Sequence, residues 1–303
     1  MVRRSRRRSR PKKSKAWTGY FFAFLLGVFL AIGGYLYLSH QKVVSPDFPP
    51  SKRSSSKRPE PKQPPDVTVP GREAHLREPV TVPLPRVALV IDDLGGEEHT
   101  SRDLLNMDAS LTFSILPFTP RAKKIARKAH EKGREVILHL PMEPHGYPRA
   151  NPGKGVLLYD MNEERLLGQL ASDIGAVPHA TGVSNHMGSR LMEDPGKIRI
   201  ILSELKRRGL FFLDSRTTPQ TMGFRVARSL GMKAAERTLF LDHSQEEKEI
   251  REKIEELIHV SLSTGKAIGI GHPHPSTIKS LKEMLPKIQE QGIEIVPLSA
   301  LME

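Results

Sequence analysis

The sequence contains no cysteine among its 303 residues. Disulfide bonds, cysteine-ligated zinc and thiol nucleophiles are therefore excluded, and any bound metal must be held by histidine and carboxylate side chains. Twelve histidines are present. Aromatic residues make up only 6% of the chain, and the one tryptophan is Trp17. The folded part therefore offers a ligand only smaller aromatic rings, such as those of Phe118, Tyr147, Tyr159 and Phe224.

Two further absences limit the chemistry. The chain has no G-x-G-x-x-G and no G-x-x-x-x-G-K-[ST] phosphate loop, which argues against dinucleotide and triphosphate chemistry. It also has no G-x-S-x-G motif, so a Ser-His-Asp hydrolase would have to rest on Ser189 or Ser215, which stand in only a loose sequence context.

Acidic residues are missing from the N-terminus, and almost all of the formal net charge of +13 lies in residues 1–85. Residues 1–16 carry nine bases and no acid, whereas residues 86–303 carry 30 bases and 29 acids. The charge balance therefore gives no case for a basic groove running over the folded part, and we expect no nucleic-acid partner.

Residues 17–38 carry no charge at all. As a helix they would extend about 33 Å, which is enough to cross a bilayer. A cleaved signal peptide is the alternative, but its apolar region is usually only about 7–15 residues long. The basic tail should stay in the cytoplasm. We therefore predict a single-pass inner-membrane protein whose C-terminal domain is periplasmic.

Residues 39–85 are predicted to be a disordered linker. The segment 41–85 holds 11 of the 25 prolines, with serine, lysine and arginine between them. Such a composition stays extended and cannot pack a core. We expect the folded domain to span residues 86–303.

Within that domain, short apolar stretches alternate with longer amphipathic ones. The first kind is typical of buried strands and occurs at 87–91, 111–116, 135–140, 182–185, 210–213, 239–241, 267–270 and 293–298. The second is typical of helices and occurs at 120–132, 163–174, 195–208, 246–263 and 276–291. This α/β alternation predicts a parallel sheet with helices outside. It favours a distorted or incomplete (β/α) barrel, and an open doubly wound sheet is the alternative.

Polar residues follow the predicted strands at their C-terminal ends. They are Asp92 and Asp93, His139, Asn185 and His186, Asp214 and Ser215, Asp242 and His243, and His272. In a barrel these ends share one face, where such folds place their chemistry. Two or more histidines with one aspartate and an open position can hold catalytic zinc, and a second carboxylate can accept a proton. The pattern therefore predicts metal-assisted hydrolysis.

Five motifs carry a family resemblance. They are I-D-D-L-G at 91–95, L-H-L-P-M-E-P at 138–144, N-H-M-G-S-R at 185–190, F-F-L-D-S-R-T-T at 211–218 and I-G-H-P at 270–273. Together they resemble the divergent polysaccharide deacetylase family over essentially all of 86–303. The resemblance implies a distorted (β/α) barrel and a divalent metal, usually zinc. It also implies removal of acetyl groups from N-acetylated cell-wall sugars.

The resemblance assigns roles to four residues. Asp92 matches the catalytic base, Asp93 the metal-binding aspartate, His139 the first histidine of the metal motif, and His272 the general acid. Where the second metal histidine would stand, this sequence has Glu143. On chemical grounds we predict His186 as the replacement ligand and Glu143 as the runner-up.

Five residues near these motifs are predicted to contact substrate: Asn185, Asp214, Ser215, Arg190 and Arg216. The two arginines would bind a carboxylate of a cell-wall glycan, or would pair with a neighbouring aspartate instead. The broken metal motif keeps a second hypothesis open. Under this second hypothesis the domain is a non-catalytic module that binds cell-wall glycan or a partner protein.

Overall fold

A computed structural model of the chain describes residues 83–303. Its strands are β1 Arg86–Leu94, β2 Leu111–Ile115, β3 Glu135–Met142, β4 Gly182–Met187, β5 Phe211–Asp214, β6 Ala234–Glu236, β7 Leu239–Phe240, β8 Lys266–Gly271 and β9 Glu294–Ile295. Its α-helices are α1 Glu98–Leu105, α2 Ala122–Glu131, α3 Glu163–Ala176, α4 Pro195–Arg207, α5 Gly223–Ser229, α6 Glu247–Thr264 and α7 Pro275–Glu290. Short 3-10 helices cover Leu191–Glu193 and Leu298–Leu301.

Local sequence explains several of the helix ends. The side chain of Asn162 accepts a hydrogen bond from the backbone of Arg165 at the start of α3. At the start of α4, Asp194 accepts from two backbone amides, and Pro195 occupies the first turn, where a missing N–H costs nothing. Helix α6 ends at Gly265, whose φ of 82° suits a left-handed cap.

The nine strands form one sheet in which every observed pair is parallel. The order is β6-β5-β4-β3-β2-β1-β8-β7, and β9 pairs with the start of β1. Eight strands laid flat would put β6 and β7 roughly 30 Å apart. Yet β6 ends at Glu236 and β7 begins at Leu239. A chain three residues long reaches at most about 11 Å.

The sheet must therefore curl until its two edges come close, and no β6–β7 pair closes it within residues 83–303. This confirms the predicted incomplete barrel and excludes the open doubly wound sheet.

Alternation along the strands divides the core into two layers. In β1, Val87, Leu89 and Ile91 join the large cluster that packs against the helices. Ala88 and Val90 belong to a smaller cluster enclosed by the curled sheet, together with residues of β3, β5 and β8. Successive side chains of a strand point to opposite faces, so Asp92 continues the inward row of Ala88 and Val90.

Each predicted strand and helix overlaps an observed one, and two short α-helices and one short strand were missed. They are α1, α5 and β6, of eight, seven and three residues. Such segments are too short to show a clear period. No helix within residues 83–303 is long and apolar enough to cross a membrane. The predicted basic tail 1–16, the helix 17–38 and almost all of the linker 39–85 lie outside the described residues.

Candidate metal centre and active site

The end of β1 directs two consecutive carboxylates to one place. In a regular strand Asp92 and Asp93 would face opposite ways. The register with β2 shifts between Ile91 and Leu94, and Asp93 has a left-handed φ of 57°. Such a conformation is strained for a residue other than glycine and is found at functional sites. It turns the chain so that both carboxylates reach the mouth of the barrel.

Three side chains from three strands meet at that mouth. Oδ1 of Asp93 lies 3.2 Å from Nε2 of His139 and 3.0 Å from Nδ1 of His186. The two imidazole nitrogens are 3.1 Å apart. Ligand atoms bound at about 2.0–2.1 Å to one ion, at 90–110° to each other, lie about 2.8–3.4 Å apart. The three atoms therefore fit one face of the coordination sphere of a divalent ion.

The donor set supports the same interpretation. Oδ1 of Asp93 is buried and has no partner with hydrogen-bond geometry among the described residues, despite these short distances. Burial opposes ionisation of this carboxyl, but His139 and His186 outweigh it and hold the pKa of Asp93 well below its usual range. The residues present thus fit a metal ion held by an anionic carboxylate and two imidazoles.

A buried hydroxyl pair orients the first histidine. Nδ1 of His139 lies 2.7 Å from Oγ of Ser184, which lies 2.9 Å from Oγ of Ser114. All three residues are buried. When Nδ1 of the ring donates to Ser184, the lone pair of Nε2 faces Asp93 and His186. Such a partner fixes the tautomer and orientation of a metal-binding histidine.

Asp92 is the second carboxylate of the site. It is only 2% exposed. Its Oδ1 lies 3.5 Å from Nδ1 of His139 and has no hydrogen-bond partner among the described residues. A buried carboxylate oxygen without a partner is costly unless a ligand or ion satisfies it, so Asp92 is available to accept a proton from something bound in the cleft.

The end of β8 supplies a histidine paired with a buried aspartate. Nδ1 of His272 lies 2.9 Å from Oδ1 of Asp242, and the backbone N–H of His272 donates to the other oxygen at 2.6 Å. Burial acts to lower the pKa of His272, but Asp242, with the charges of Asp92 and Asp93, raises it to about 9. Nε2 of the ring remains available to a ligand.

Asp92, His139, His186 and His272 open onto one cleft of about 320 Å³. Its lining consists of Asp92, His139, Pro144, Asn185, His186, Met187, Ser189, Ser215, Thr217, Phe240 and His272. The cleft therefore joins a candidate proton acceptor, a candidate metal centre and a histidine that is largely protonated at neutral pH.

Comparison with known proteins is consistent with this geometry. The family model described as divergent polysaccharide deacetylase matches residues 89–302. The chain belongs to the divergent polysaccharide deacetylase family. It is 35% identical over 217 residues to the uncharacterized Escherichia coli (strain K12) protein YibQ. The matched region covers 72% of this chain and 67% of YibQ.

Two further relatives agree with the assignment. An uncharacterized protein of Haemophilus influenzae is 31% identical over 216 residues, covering 71% of this chain and 76% of the relative. The crystal structure of the uncharacterized protein ATU2773 from Agrobacterium tumefaciens C58 superposes with a TM-score of 0.70 at 26% identity. That match covers 73% of this chain and 90% of the solved one.

Within this deacetylase family fold, Glu143 stands apart from the triad. Its buried carboxylate binds Arg190 (Oε1 to Nη1, 2.5 Å) and the backbone N–H of Tyr159 (2.7 Å). The backbone carbonyl of Glu143 also accepts from the amides of Arg190 and Leu191. The structure thus gives both carboxylate oxygens of Glu143 partners outside the metal centre.

Arg190 is occupied in the same cluster. Besides its ion pair with Glu143, its guanidinium lies 4.3 Å from the centroid of the Tyr159 ring. It does not line the cleft. The structure therefore shows the alternative that the sequence left open, in which this arginine pairs with a neighbouring acid.

Two other predicted substrate contacts bind the protein itself. Asp214 is fully buried and accepts from the amides of Arg216 and Phe224 and from the hydroxyl of Thr221. It continues the outward row of β5, in which Phe212 packs against the helices, so alternation turns it away from the cleft.

Asn185 lines the cleft, and its amide is largely used for structure. Its Nδ2 donates to the carbonyl of Met187 and to Thr217, and its Oδ1 accepts from the backbone of Ser215. These bonds join the ends of β4 and β5. Asn185 therefore holds two walls of the cleft together.

Ser215 and Arg216 have different positions. Ser215 is 1% exposed and lines the cleft, and its Oγ has no partner among the described residues. A ligand would satisfy this hydroxyl. Arg216 lies outside the lining, and its Nε is 3.9 Å from Glu236.

A second group of ligand-type atoms belongs to Asp242, His272 and His274, which approach within 4.8 Å of one another. Asp242 is already bound by the backbone and ring of His272 and by Oγ1 of Thr277 at 2.7 Å. Its carboxylate is thus committed to orienting His272, and the Asp93 triad is the better metal candidate.

The sequence reasoning missed several members of the site. Ser114 and Ser184 are signalled by their places in the inward rows of β2 and β4. Phe240 lines the cleft, and Arg237 lies over its ring at 3.8 Å while donating to the carbonyl of Ser215. Burial lowers the pKa of Arg237. No motif in the sequence singled out this arginine.

Proposed function

We propose that this domain is a metal-dependent hydrolase that removes acetyl groups from N-acetylated cell-wall sugars. The observation that carries the proposal is the triad of Asp93, His139 and His186, whose ligand atoms lie 3.0–3.2 Å apart. Membership of the divergent polysaccharide deacetylase family supports it.

The triad would hold a divalent ion, and zinc suits an aspartate with two histidines. Such an ion, when bound, would supply a Lewis acid and lower the pKa of a water molecule. Ser184 and Ser114 would keep His139 in the tautomer that presents Nε2 to the ion. Glu143 contributes indirectly, because it ties the segment after His186 to the segment around Tyr159.

The remaining groups divide the proton transfers between them. Asp92, with its unpartnered Oδ1, would accept a proton from the attacking water. His272, held by Asp242, would donate a proton to the departing amine. The raised pKa of His272 favours the protonated form that an acid needs. Ser215 would donate a hydrogen bond to the bound sugar or its acetyl group.

The non-catalytic hypothesis rested on the missing second histidine. The position of His186 supports the enzyme instead, because it supplies a third ligand atom from another strand. Asp92 and His272, the proposed proton acceptor and proton donor, line the same cleft, and a binding module would not need such a pair.

Acetate release tests the proposal. The full-length protein, supplied with one equivalent of zinc or stripped with a chelator, is incubated with N-acetylated cell-wall glycan fragments. Asp92→Asn should retain the metal and lower turnover about a hundredfold or more, the scale of a positioned proton acceptor. Asp108→Asn, which neutralises an exposed aspartate, is the matched control.

Two results would count against the enzyme. Fully zinc-loaded protein that releases no acetate from a broad panel of fragments would favour the binding module. Unchanged turnover in Asp92→Asn would reject this residue as the base even if hydrolysis were seen.

A further inference from the structure

A second and larger depression lies outside the catalytic cleft. It is an open groove of about 670 Å³ between α2 and the C-terminal half of α3. Its lining consists of Phe118, Thr119, Pro120, Ala122, Lys123, Lys124, Arg127, Lys128, Glu131, Ser172, Gly175 and Ala176. The α2 wall therefore carries four bases and one acid, Glu131, and the α3 wall is formed by small uncharged residues.

The four bases of this wall are not equivalent. Lys124 and Lys128 both bind Glu98, at 2.8 and 3.0 Å. Lys123 and Arg127 stand one turn apart on α2 and form no ion pair with any residue in the described part of the chain. Like charges at this spacing repel each other. An anionic ligand in the groove would relieve that repulsion.

Phe118 adds an exposed ring at one end of the groove. It is 42% exposed, in a chain that keeps nearly all other large apolar side chains covered over residues 83–303. Its φ of 56° is in the left-handed region, which a bulky residue adopts only under constraint. Gly155 leaves room for the ring, since a Cβ there would approach it to 3.0 Å.

The groove begins beside the catalytic face. Phe118 and Thr119 follow the C-terminal end of β2, and the backbone of Leu116 donates to the carbonyl of Leu94. The backbone of Arg121 donates to the carbonyl of Gly95. The segment that presents Phe118 is thus hydrogen-bonded to the segment that directly follows the two site aspartates.

We propose that this groove binds an acidic glycan chain. Phe118 packs on the apolar face of one sugar, and Lys123 and Arg127 pair with carboxylates of the polymer. An open groove with a flat ring and two cations that form no ion pair within residues 83–303 suits an extended polyanion better than an enclosed small molecule. The inference deepens the proposed function, on which it rests, by naming a carboxylate-bearing glycan as the substrate class.

Binding is measured on the full-length, metal-free protein, so that no turnover is required. The probes are an octasaccharide of alternating glucuronate and N-acetylglucosamine and a neutral octasaccharide of N-acetylglucosamine. The acidic probe should bind about tenfold more tightly, the scale of two modest ion pairs. Lys123→Gln with Arg127→Gln should abolish that preference, whereas Lys253→Gln with Lys287→Gln, on α6 and α7, should preserve it.

Phe118→Asn tests the ring without disturbing the backbone, because asparagine accepts a left-handed φ. It should weaken binding of both octasaccharides, and Leu262→Ala, which removes another exposed apolar side chain, should weaken neither. Circular dichroism confirms that each variant is folded.

Equal affinity for the two octasaccharides would overturn the proposal, as would an acidic preference that survives in the double variant. Tighter binding of anionic phospholipid vesicles or of an oligonucleotide through Lys123 and Arg127 would also reject a glycan groove. Failure of the deacetylase proposal is seen separately, as absence of acetate release while the acidic octasaccharide still binds.

Discussion

His186 and Glu143 are the two residues able to replace the histidine that the metal motif lacks, and their surroundings differ. His186 Nδ1 faces Asp93 and His139 at about 3 Å. The carboxylate of Glu143 faces Arg190 and the amide of Tyr159. Spacing puts Glu143 where the second histidine would stand, and ligand chemistry favours His186, but neither shows how the segments after β3 and β4 turn. The decision depends on tertiary contacts.

We therefore predict that His186→Ala lowers zinc affinity by at least about a hundredfold, since loss of even an outer-shell partner costs 10–100-fold. Glu143→Gln, which keeps the size of the side chain, should change zinc affinity only a few-fold. Calorimetric titration of the metal-free variants measures both. The opposite pattern, with full affinity in His186→Ala and loss in Glu143→Gln, would make Glu143 the third ligand.

The Asp242–His272 pair predicts a dependence of stability on pH. The folded-state pKa of His272 is about 9, above its ordinary value of about 6.5. The contribution of His272 to the free energy of unfolding is therefore complete below about pH 6.5 and is lost as the pH rises through 9. Despite burial, the hydrogen bond with His272 lowers the pKa of Asp242, so the aspartate's contribution is lost only in acid.

In metal-free protein, the free energy of unfolding should fall on the order of 1–3 kcal/mol between pH 6.5 and 9 through this pair. Asp242→Asn should remove most of that decrease and return the pKa of His272 toward its ordinary value. Denaturant titrations at several pH values and NMR titration of the ring measure the two effects. An unshifted His272 pKa in the wild-type protein would contradict the prediction.

At the level of elements, hydrophobic periodicity predicted the main strands and helices, and strand alternation explains which side chains enter the cleft. Asp92, His139, His186 and His272 all lie in rows that point into the barrel. Asp214 was grouped with them because it stands at a strand end, although it continues the outward row. The alternation of inward and outward side chains along β5 can be read from the sequence. It would have assigned Ser215 to the inward row and Asp214 to the outward row.

Glycine in β4 shows how one element makes room for another. A Cβ on Gly182 would lie 2.2 Å from the Phe211 ring of β5, and Phe211 belongs to the inner core. Gly182→Ala should therefore destabilise the protein by about 1–3 kcal/mol, as overpacking does. Denaturant unfolding measures the change.

The matched control is Gly168→Ala in α3. A Cβ there would meet nothing within 4 Å, and alanine in a helix interior is favoured over glycine by roughly 0.5–1 kcal/mol. The two substitutions should shift the unfolding midpoint in opposite directions. Equal shifts would show that contact with Phe211 does not determine the effect of a side chain at position 182 on stability.

At the level of the whole molecule, curling of the sheet brings strand ends from distant parts of the sequence together. The alternation of strands and helices predicted the parallel sheet, but not its closure. That depends on β6 and the two-residue connection to β7, and a three-residue strand has no readable period. For the same reason Arg237, which lies between these strands, could not be placed in the site beforehand.

The proposed substrate lies outside the cytoplasm, and the proposed inner-membrane topology follows from residues 1–85. The nine bases of 1–16 precede the uncharged segment 17–38, which should keep the N-terminus inside. Trypsin added outside the cytoplasmic membrane should therefore cut the lysine- and arginine-rich linker 39–85 and release a soluble fragment that starts near residue 86. Immunodetection of the fragment after outer-membrane permeabilisation measures this.

Replacing the nine bases of residues 1–16 with glutamine should weaken the preference for this orientation, because the charge asymmetry that sets it is removed. Cleavage that occurs only after the cells are lysed would contradict the topology, and with it access of the domain to cell-wall glycan.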